Sequence, residues 1–260
     1  MIDTHCHLDA LLARCPAAPA RWLAAGVHAV ITMGTHPDQW SAAEAAAQSA
    51  HAVGSRVGLA LGVHPWWVEQ VAAAEIPTRL TAAIAAASLP VVAIGEIGLD
   101  AVHAPATLPA QQALLAGQLA VAEALRLPVV LHERKTADLL SVALRRHPGL
   151  TGVVHGFTGS RQQAERLIEA GFCLGVGAAL THPRANRLRS MLAALPVEAL
   201  LLESDAPFQP GAAHLGAVNE PAFLPETLRA LAALRGLAPD SLAATLDANA
   251  RRVFGPVCAG

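Results

Sequence analysis

The order of the hydrophobic segments is the feature that most constrains the fold of this chain. Eight short runs rich in β-branched and aliphatic residues alternate with longer Ala- and Leu-rich segments whose apolar positions recur at helical spacing. This alternation, with nearly all-apolar strands, is typical of a parallel sheet covered by helices, and eight units favour a closed barrel over an open sheet. We therefore predict an α/β fold, a (β/α)8 TIM barrel, with strands at residues 2–6, 27–33, 57–63, 91–94, 129–131, 152–154, 172–176 and 200–202.

The intervening segments predict the helices that would cover this barrel. They lie at residues 37–50, 78–87, 110–126, 136–147, 161–170, 183–195 and 220–235, and a terminal helix or helix pair follows at residues 239–254. The Pro-containing segments 101–109 and 207–216 are short and each follows a strand candidate, so they are interpreted as barrel loops rather than as linkers. Residues 1–260 are therefore predicted to form one domain, a length common for this architecture.

The composition excludes two broad classes of protein. The chain is 53% hydrophobic and 15% charged, which supplies an apolar core and excludes an intrinsically disordered chain. Its formal net charge of −2 excludes a protein that coats nucleic acid through a generally basic surface, so a polyanion would have to bind at a local site. Nothing in the composition indicates an obligate protein partner.

Neither export nor membrane insertion is predicted. Met1 is followed at once by Ile2 and Asp3, without a charged and apolar leader. Proline and glutamate interrupt the longest apolar stretches before they reach membrane-spanning length, so the expected location is cytoplasmic. The cysteines are scattered without a CxxC pair, which predicts neither a disulfide framework nor a thiolate zinc site; they are Cys6, Cys15, Cys173 and Cys258.

The strongest local signal for chemistry is the sequence His5-Cys6-His7 on the first predicted strand. Side chains two positions apart in a strand share a face, about 6.5–7 Å apart, so both imidazoles can converge on one metal ion at about 2.0–2.1 Å. Cys6 must then point the other way, toward the helices. Taken alone, this motif is equally compatible with two unrelated histidines at a strand end.

Four further residues favour the metal site over that alternative. Glu96, His132, His155 and Asp205 each fall within about three residues of the end of predicted strands four, five, six and eight, and barrel active sites are built at that end. Oxygen and imidazole ligands without thiolate suit divalent ions such as Mg, Mn or Zn. The six predicted ligands are His5, His7, Glu96, His132, His155 and Asp205.

One ion needs only three or four of these ligands, so the sequence predicts two divalent ions that share one carboxylate. Glu96 is the expected bridge. A carbamylated lysine does this job in some barrel hydrolases, but the one lysine of this chain, Lys135, stands three residues beyond His132 and is badly placed for it. A water held between the ions would act as hydroxide near neutral pH.

Motifs spread over nearly the whole chain carry a family resemblance. The motifs lie at residues 2–9 (IDTHCHLD), 62–65 (GVHP), 95–100 (GEIGLD), 131–132 (LH), 155–160 (HGFTGS), 202–207 (LESDAP), 219–221 (NEP) and 249–254 (NARRVF). With these motifs the chain resembles the TatD-type metal-dependent hydrolases, which implies a TIM barrel in which His5, His7, Glu96 and Asp205 bind one ion and Glu96, His132 and His155 bind the other. The resemblance also implies a nuclease that removes nucleotides from DNA in the 3′-to-5′ direction.

The departures from the family pattern concern substrate contacts. Val218 stands where an arginine often precedes the Asn-Glu-Pro motif, Glu133 stands where a small residue is usual, and Ala101 replaces an aromatic residue. The chain also has no tyrosine, a common base-stacking residue. None of these changes touches the predicted metal ligands.

Two further residues are predicted to take part in catalysis. His64 follows the third strand, where it would contact a substrate oxygen or move a proton; alternatively, it only holds the turn that follows it. Glu203 lies two residues before Asp205, on the same face and deeper in the barrel. It would orient the attacking water or accept its proton, and the alternative is a buried carboxylate that only positions a ligand. Asp100 is a candidate partner of a ligand, or a residue that fixes its own loop.

Four cations follow strands five, six and seven: Arg134, Lys135, Arg161 and Arg184. Such a cluster would recognise phosphate, although charges solvated on loops are the alternative for each residue. The sequence therefore predicts a phosphodiesterase that acts on DNA ends. The second hypothesis is an amide or ester hydrolase on the same barrel, including deacylation of charged tRNA, and the third is a metal-dependent binding module without activity.

Overall fold

The computed structural model describes residues 1–255; the last five residues of the predicted domain, including Cys258, lie outside the described residues. Eight strands form one sheet in the order β1 to β8, and each neighbouring pair is parallel, which confirms the predicted (β/α)8 barrel. The strands are β1 (Ile2–Cys6), β2 (Ala29–Gly34), β3 (Arg56–Leu61), β4 (Val91–Asp100), β5 (Val129–Arg134), β6 (Gly152–Val154), β7 (Phe172–Val176) and β8 (Leu200–Leu202).

The barrel closes between β8 and β1 at the carboxyl ends of these strands. The backbone N–H of Asp205 donates to the carbonyl of His5 at 2.9 Å, and the N–H of His7 donates to the carbonyl of Ala206 at 2.7 Å. Cys6 and Ala206 form a parallel bridge. The residues that close the barrel therefore lie among the predicted metal ligands.

Strands β4 and β5 extend further than their apolar runs predict. β4 continues through Glu96 to Asp100, and its later residues pair with β5, with Gly98 opposite His132. The apolar pattern ends at Ile94 because polar side chains of the site occupy inward positions of the strand from there on. Polar residues inside a buried strand are the expected signature of a functional site.

The helices are α1 (Leu8–Arg14), α2 (Ala18–Ala24), α3 (Trp40–Ala52), α4 (Ile76–Ala86), α5 (Leu108–Leu125), α6 (Ala137–Leu144), α7 (Arg161–Glu169), α8 (Asn186–Ala194), α9 (Leu224–Arg235) and α10 (Pro239–Phe254). The two short helices α1 and α2 are absent from the sequence prediction, because seven residues are too few to display a clear helical period. Two of the predicted helices begin with a turn of 3-10 helix, at Pro37–Gln39 and at Pro221–Phe223.

The apolar core has two layers. One lies inside the barrel, where Ile31, Val130 and Leu201 pack together with Ala250 and Phe254 of α10. The other lies between strands and helices and contains Cys6, which confirms that this side chain points away from the barrel interior. Cys6, Cys15 and Cys173 are unpaired in the described part of the chain. Within residues 1–255, no helix is long and apolar enough to cross a membrane.

Candidate metal centre

The carboxyl ends of five strands bring the six predicted metal ligands together. His5 lies on β1, Glu96 on β4 and His132 on β5, while the others stand one to three residues beyond β1, β6 and β8. Four of the six side chains are at least nine-tenths buried, and those of His7 and Asp205 are 13% and 11% exposed. In a buried site these polar atoms need partners, since each unpaired one costs about 1–3 kcal/mol.

Four ligand atoms surround one point at the β1 side of the site. His5 Nε2 lies 3.3 Å from His7 Nε2, 3.5 Å from Glu96 Oε2 and 3.5 Å from Asp205 Oδ1. His7 Nε2 lies 3.6 Å from the same glutamate oxygen and 3.3 Å from the same aspartate oxygen. A tetrahedron whose corners lie about 2.1 Å from its centre has edges of about 3.4 Å, so these atoms fit the coordination shell of a divalent ion.

A second cluster forms around the other oxygen of Glu96. His155 Nε2 lies 2.8 Å and His132 Nδ1 lies 3.0 Å from Glu96 Oε1, and the two nitrogens are 3.3 Å apart. The rings of His5 and His155 stack at 3.9 Å between centroids, so the clusters are in contact. Glu96 thus turns one oxygen toward each cluster, as a bridging carboxylate would.

The charges of the site attract cations. Burial would raise the pKa of Asp205, but the hydrogen bond with His7 and the neighbouring histidines hold that pKa at about 2. Burial would lower the pKa of His155, yet the negative charges of Glu96 and Glu203 raise it to about 10. The carboxylates therefore favour positive charge on the same nitrogen atoms that a metal ion would use, and protons and metal ions compete for them.

Asp205 is aimed at the site by an unusual backbone turn. Its φ angle is +57°, in the left-handed region that residues other than glycine seldom adopt and that aspartate tolerates better than most. The hydrogen bond from its N–H to His5 holds this conformation, and Gln209 Nε2 donates to its Oδ2 at 2.6 Å. The other oxygen, Oδ1, is left to face His5 and His7.

His132 is oriented by Asp100. His132 Nε2 lies 3.1 Å from Asp100 Oδ2, so a metal ion held by Nδ1 would leave the ring proton on Nε2, where Asp100 accepts it. Asp100 Oδ1 also accepts from the N–H groups of Val102 and His103 at 2.7 and 2.8 Å. Both roles that the sequence left open for Asp100, contact with a ligand and fixing its loop, are therefore present.

His64 differs from the other histidines in its hydrogen bonding. Its Nδ1 accepts from the N–H of Trp66 at 3.2 Å, which places the proton of the neutral ring on Nε2. Burial lowers the pKa of His64 and keeps it neutral. Nε2 lies 3.4 Å from Glu96 Oε1, so the Nε2–H group of His64 can donate to that oxygen as long as the bond from Trp66 orients the ring.

Glu203 lies below the clusters and away from the open cleft. Its Oε1 accepts from the N–H of Gly156 at 2.6 Å and lies 3.8 Å from His155 Nδ1, while Oε2 has no hydrogen-bond partner. Burial raises its pKa to about 8. A Cβ on Gly175 would stand 1.9 Å from Oε2, so glycine is required at that position of β7 to admit this carboxyl group.

Asp3 stabilises the site through hydrogen bonds, although its role was not predicted from the sequence. Its Oδ1 accepts from the N–H groups of His5 and Ser204, at 3.2 and 2.9 Å, and Oδ2 accepts from the hydroxyl of Ser204 at 2.6 Å. These bonds join β1 to the turn before Asp205. The signal in the sequence is an acidic residue within an apolar strand, two positions before His5.

A cleft with two adjoining cavities opens above the clusters. The first, of about 500 Å³, is lined by His64, Trp66 and Phe208 among others, and the second, of about 790 Å³, by Arg134, Lys135 and Arg187 among others. They share the lining residues His132, Arg134, His155 and Gln209. Of the cations predicted from the sequence, Arg134 and Lys135 thus line the cleft, whereas Arg184 lines neither cavity and Arg161 pairs with Glu165 at 2.7 Å. Arg187 on α8 is an additional cation that the sequence analysis missed.

A parallel barrel whose strand ends bring four histidines and two carboxylates into contact is the architecture of a metal-dependent barrel hydrolase. The family model of TatD-related DNases matches residues 2–255. The chain therefore belongs to the TatD family of metal-dependent hydrolases, as its motifs indicate.

Similar members of this family carry the names of a hydrolase and of an exonuclease. The chain is 38% identical over 256 residues to the uncharacterized metal-dependent hydrolase YjjV of Escherichia coli K12, and the match covers 97% of each chain. The crystal structure of that TatD homologue superimposes with a TM-score of 0.90 at 36% identity, covering 98% of each chain. The 3′-5′ ssDNA/RNA exonuclease TatD of Klebsiella pneumoniae is 38% identical over 251 residues, which cover 91% of this chain and 90% of that one.

Proposed function

We propose that this chain is a two-ion nuclease that removes nucleotides from the 3′ end of DNA by hydrolysing phosphodiester bonds. The observation that carries the proposal is the pair of ligand clusters that share Glu96 at the floor of a cleft lined by cations. The similarity to proteins named 3′-5′ ssDNA/RNA exonuclease supports a nucleic acid strand as the substrate.

The ion-binding roles follow the two clusters. One divalent ion would be held by His5, His7, Glu96 and Asp205, and the other by Glu96, His132 and His155. The set contains imidazole nitrogens and carboxylate oxygens without thiolate, which suits Mg, Mn or Zn. When bound, such ions lower the pKa of a water molecule and offset the negative charge of a phosphodiester.

His64 is the residue we assign to contact with the substrate. It lines the cavity, and its Nε2–H is fixed as a donor by the bond that Nδ1 accepts from Trp66. A phosphate oxygen in the cavity would compete with Glu96 for this proton donor. His64 would then hold the turn that follows it through Nδ1 and donate to the substrate through Nε2, so the two roles predicted from the sequence are compatible.

Glu203 is assigned a positioning role. Its carboxyl group faces His155 Nδ1, the nitrogen opposite the proposed ligand atom, and is held there by Gly156. A carboxylate behind a metal-ligating histidine fixes the orientation of the ring and raises its basicity. Because Glu203 lies below the clusters, we favour this role over direct action on the attacking water.

The test of this function is a substrate screen on metal-depleted protein restored with Mg, Mn or Zn one at a time. We expect single-stranded DNA labelled at its 5′ end to be shortened stepwise from the 3′ end. RNA, duplex DNA, aminoacyl esters and amides are compared in parallel. Hydrolysis of the esters or amides with all nucleic acids left intact would replace the nuclease by the amide or ester hydrolase.

Salt dependence should show that the attraction to DNA is local. Each phosphate neutralised on a single strand contributes about −0.7 to the log-log slope of affinity against salt, so two to four contacts predict a slope of roughly −1.4 to −2.8. Charge reversal of Arg134 and Arg187 together should raise KM and flatten this slope while metal content stays unchanged.

The matched control is Arg161→Glu, because Arg161 is exposed and already pairs with Glu165 on its own helix. Steady-state kinetics over a series of salt concentrations measure both effects. If the double variant degrades DNA with the wild-type KM and slope, the strand does not follow the cavity lined by Arg134 and Arg187.

Asp100→Asn should weaken the ion site that contains His132. An amide can turn its NH₂ group to His132 Nε2, which would move the ring proton to Nδ1 and block the ligand atom. Replacing such a partner of a metal-bound histidine typically costs about 10–100-fold in metal affinity or activity. The amide oxygen can still accept from Val102 and His103, so the fold should persist.

Metal titration of Asp100→Asn, together with its thermal midpoint, measures this prediction. Asp38→Asn, at an exposed aspartate outside the clusters, is the control. Wild-type affinity at both ion sites in the Asp100→Asn variant would contradict the role of Asp100.

A further inference from the structure

Two large aromatic side chains line the cavity above the clusters and are exposed. Trp66 is 46% and Phe208 is 45% exposed, whereas Trp22, Trp40 and Phe157 are buried. Both exposed rings line the cavity of about 500 Å³ that Glu96 and Asp205 also line. An apolar surface left exposed beside a polar site gains about 25 cal/mol per Å² when a ligand covers it, which favours a ligand with an apolar part.

Trp66 is held rigidly despite its exposure. Its Nε1–H donates to Asp100 Oδ2 at 2.7 Å, and its ring stacks on His103 with centroids 4.5 Å apart. Its ring also makes a T-shaped contact with the ring of His64, at 4.8 Å between centroids. Trp66 therefore presents a preorganised aromatic surface next to the cluster that contains His132, and little side-chain entropy is lost when a ligand binds there.

Phe208 occupies the corresponding place next to the other cluster. Its ring contacts His7 edge to face, with centroids 5.5 Å apart, and the guanidinium carbon of Arg14 lies 6.0 Å from the ring centroid. Phe208 follows Asp205 by three residues, and its N–H donates to the carbonyl of Asp205 at 2.8 Å. Each aromatic ring is thus tied to one of the two ligand clusters.

We infer that Trp66 and Phe208 form a base-binding subsite, on which the nucleobase of the terminal nucleotide stacks while its phosphodiester lies over Glu96. This inference rests on the proposed nuclease function and names the part of the substrate that this cavity takes. The rest of the strand runs through the adjoining cavity, where Arg134, Lys135 and Arg187 face its phosphates.

The division of the cleft supports a nucleotide over an uncharged apolar ligand. A nucleotide end combines a flat apolar base with an anionic phosphate. Trp66 and Phe208 line one cavity, Arg134 lines both cavities, and in the second cavity the cations Arg134, Lys135 and Arg187 outnumber the acidic residues Glu133 and Asp138. Every base has a π-face, so stacking accepts any sequence. A base must leave its duplex partner to stack in this way, so the subsite selects an unpaired end.

The test compares two single-stranded DNA oligonucleotides that differ only in the 3′-terminal residue, which carries either a base or an abasic tetrahydrofuran group. Stacking on aromatic side chains is worth about 1–3 kcal/mol per base, so the wild-type kcat/KM should be about 5- to 150-fold higher with the base. In the double variant Trp66→Leu with Phe208→Leu this ratio should fall to within about twofold of unity.

Two conservative variants separate stacking from other effects of the substitutions. Trp66→Phe loses the bond to Asp100 but keeps an aromatic face, and Phe208→Tyr keeps the ring, so both should retain a ratio well above unity. Leu215→Ala, at a 70% exposed residue of the same loop as Phe208, is the matched control and should keep the wild-type ratio.

The outcomes distinguish failure of the subsite from failure of the nuclease. Equal cleavage of both oligonucleotides by the wild type overturns the subsite and leaves the nuclease intact. A high ratio that persists in the double leucine variant, or that collapses equally in the conservative variants, also overturns it. Hydrolysis of no nucleic acid at all, with an apolar ester cleaved instead, overturns the nuclease and the subsite together.

Discussion

Glu96→Ala is expected to abolish hydrolysis and to weaken both ion sites at once. Glu96 is the one carboxylate among the described residues whose two oxygens face both clusters, Oε1 at 2.8 Å from His155 and Oε2 at 3.5 Å from His5. If each ion contributes several kcal/mol to the stabilisation of developing charge, loss of both lowers kcat/KM by roughly 10⁴-fold or more.

Metal titration and single-turnover kinetics on the purified variant measure these losses. Glu96→Gln, which nearly preserves side-chain volume, should also fail, because an amide offers an oxygen to one cluster only. Glu165→Ala, at an exposed helical residue, serves as the control for handling and metal loading. One site at wild-type affinity in Glu96→Ala would mean that Glu96 is not the bridge.

His132→Ala and Asp205→Asn are expected to remove different ions. His132 belongs only to the cluster with His155 and Glu96 Oε1, whereas Asp205 Oδ1 faces His5 and His7. Elemental analysis at saturating metal should therefore find about one ion fewer per chain in His132→Ala, with the first site retained, and the reverse in Asp205→Asn. Each loss should lower kcat/KM by roughly 100- to 1,000-fold.

The two variants act as controls for each other, because both lie in the same buried region and only the affected site should differ. Circular dichroism should find the fold unchanged in both. No more than one ion bound by the wild type at saturating metal, with the same content in His132→Ala, would defeat the two-ion arrangement. A variant that loses both ions would show that the sites are cooperative rather than separate.

Much of the barrel could be predicted from local pattern. The bounds of β1, β6, β7 and β8 agree with the apolar runs that predict them, because a parallel strand covered on both faces is apolar along its whole length. The pattern failed at β4, where Glu96 and Asp100 interrupt the run although the ladder to β5 continues. Functional polar residues interrupt the apolar pattern, so hydrophobicity alone does not show where such a strand ends.

That the six proposed ligands meet could be predicted from the sequence, but the geometry of their meeting could not. They lie in or shortly after strands whose carboxyl ends a barrel brings to one rim. The sequence placed Glu203 deeper in the barrel than Asp205, but it could not reveal that Gly175 makes room for this carboxyl group. It also could not reveal that Arg187 of α8 joins Arg134 and Lys135 in lining the cleft. Both depend on how side chains from distant segments pack.

The sequence by itself determined the order of strands and helices, the family and the residue types available for chemistry, because period and motif are local properties of the chain. Only the tertiary structure decided which atom of each side chain faces which partner. Trp66, Asp100 and Gln209 orient His64, His132 and Asp205 through single hydrogen bonds. Such bonds depend on atomic positions accurate to a few tenths of an ångström. The folded barrel determines these positions, whereas the spacing of residues in the sequence does not.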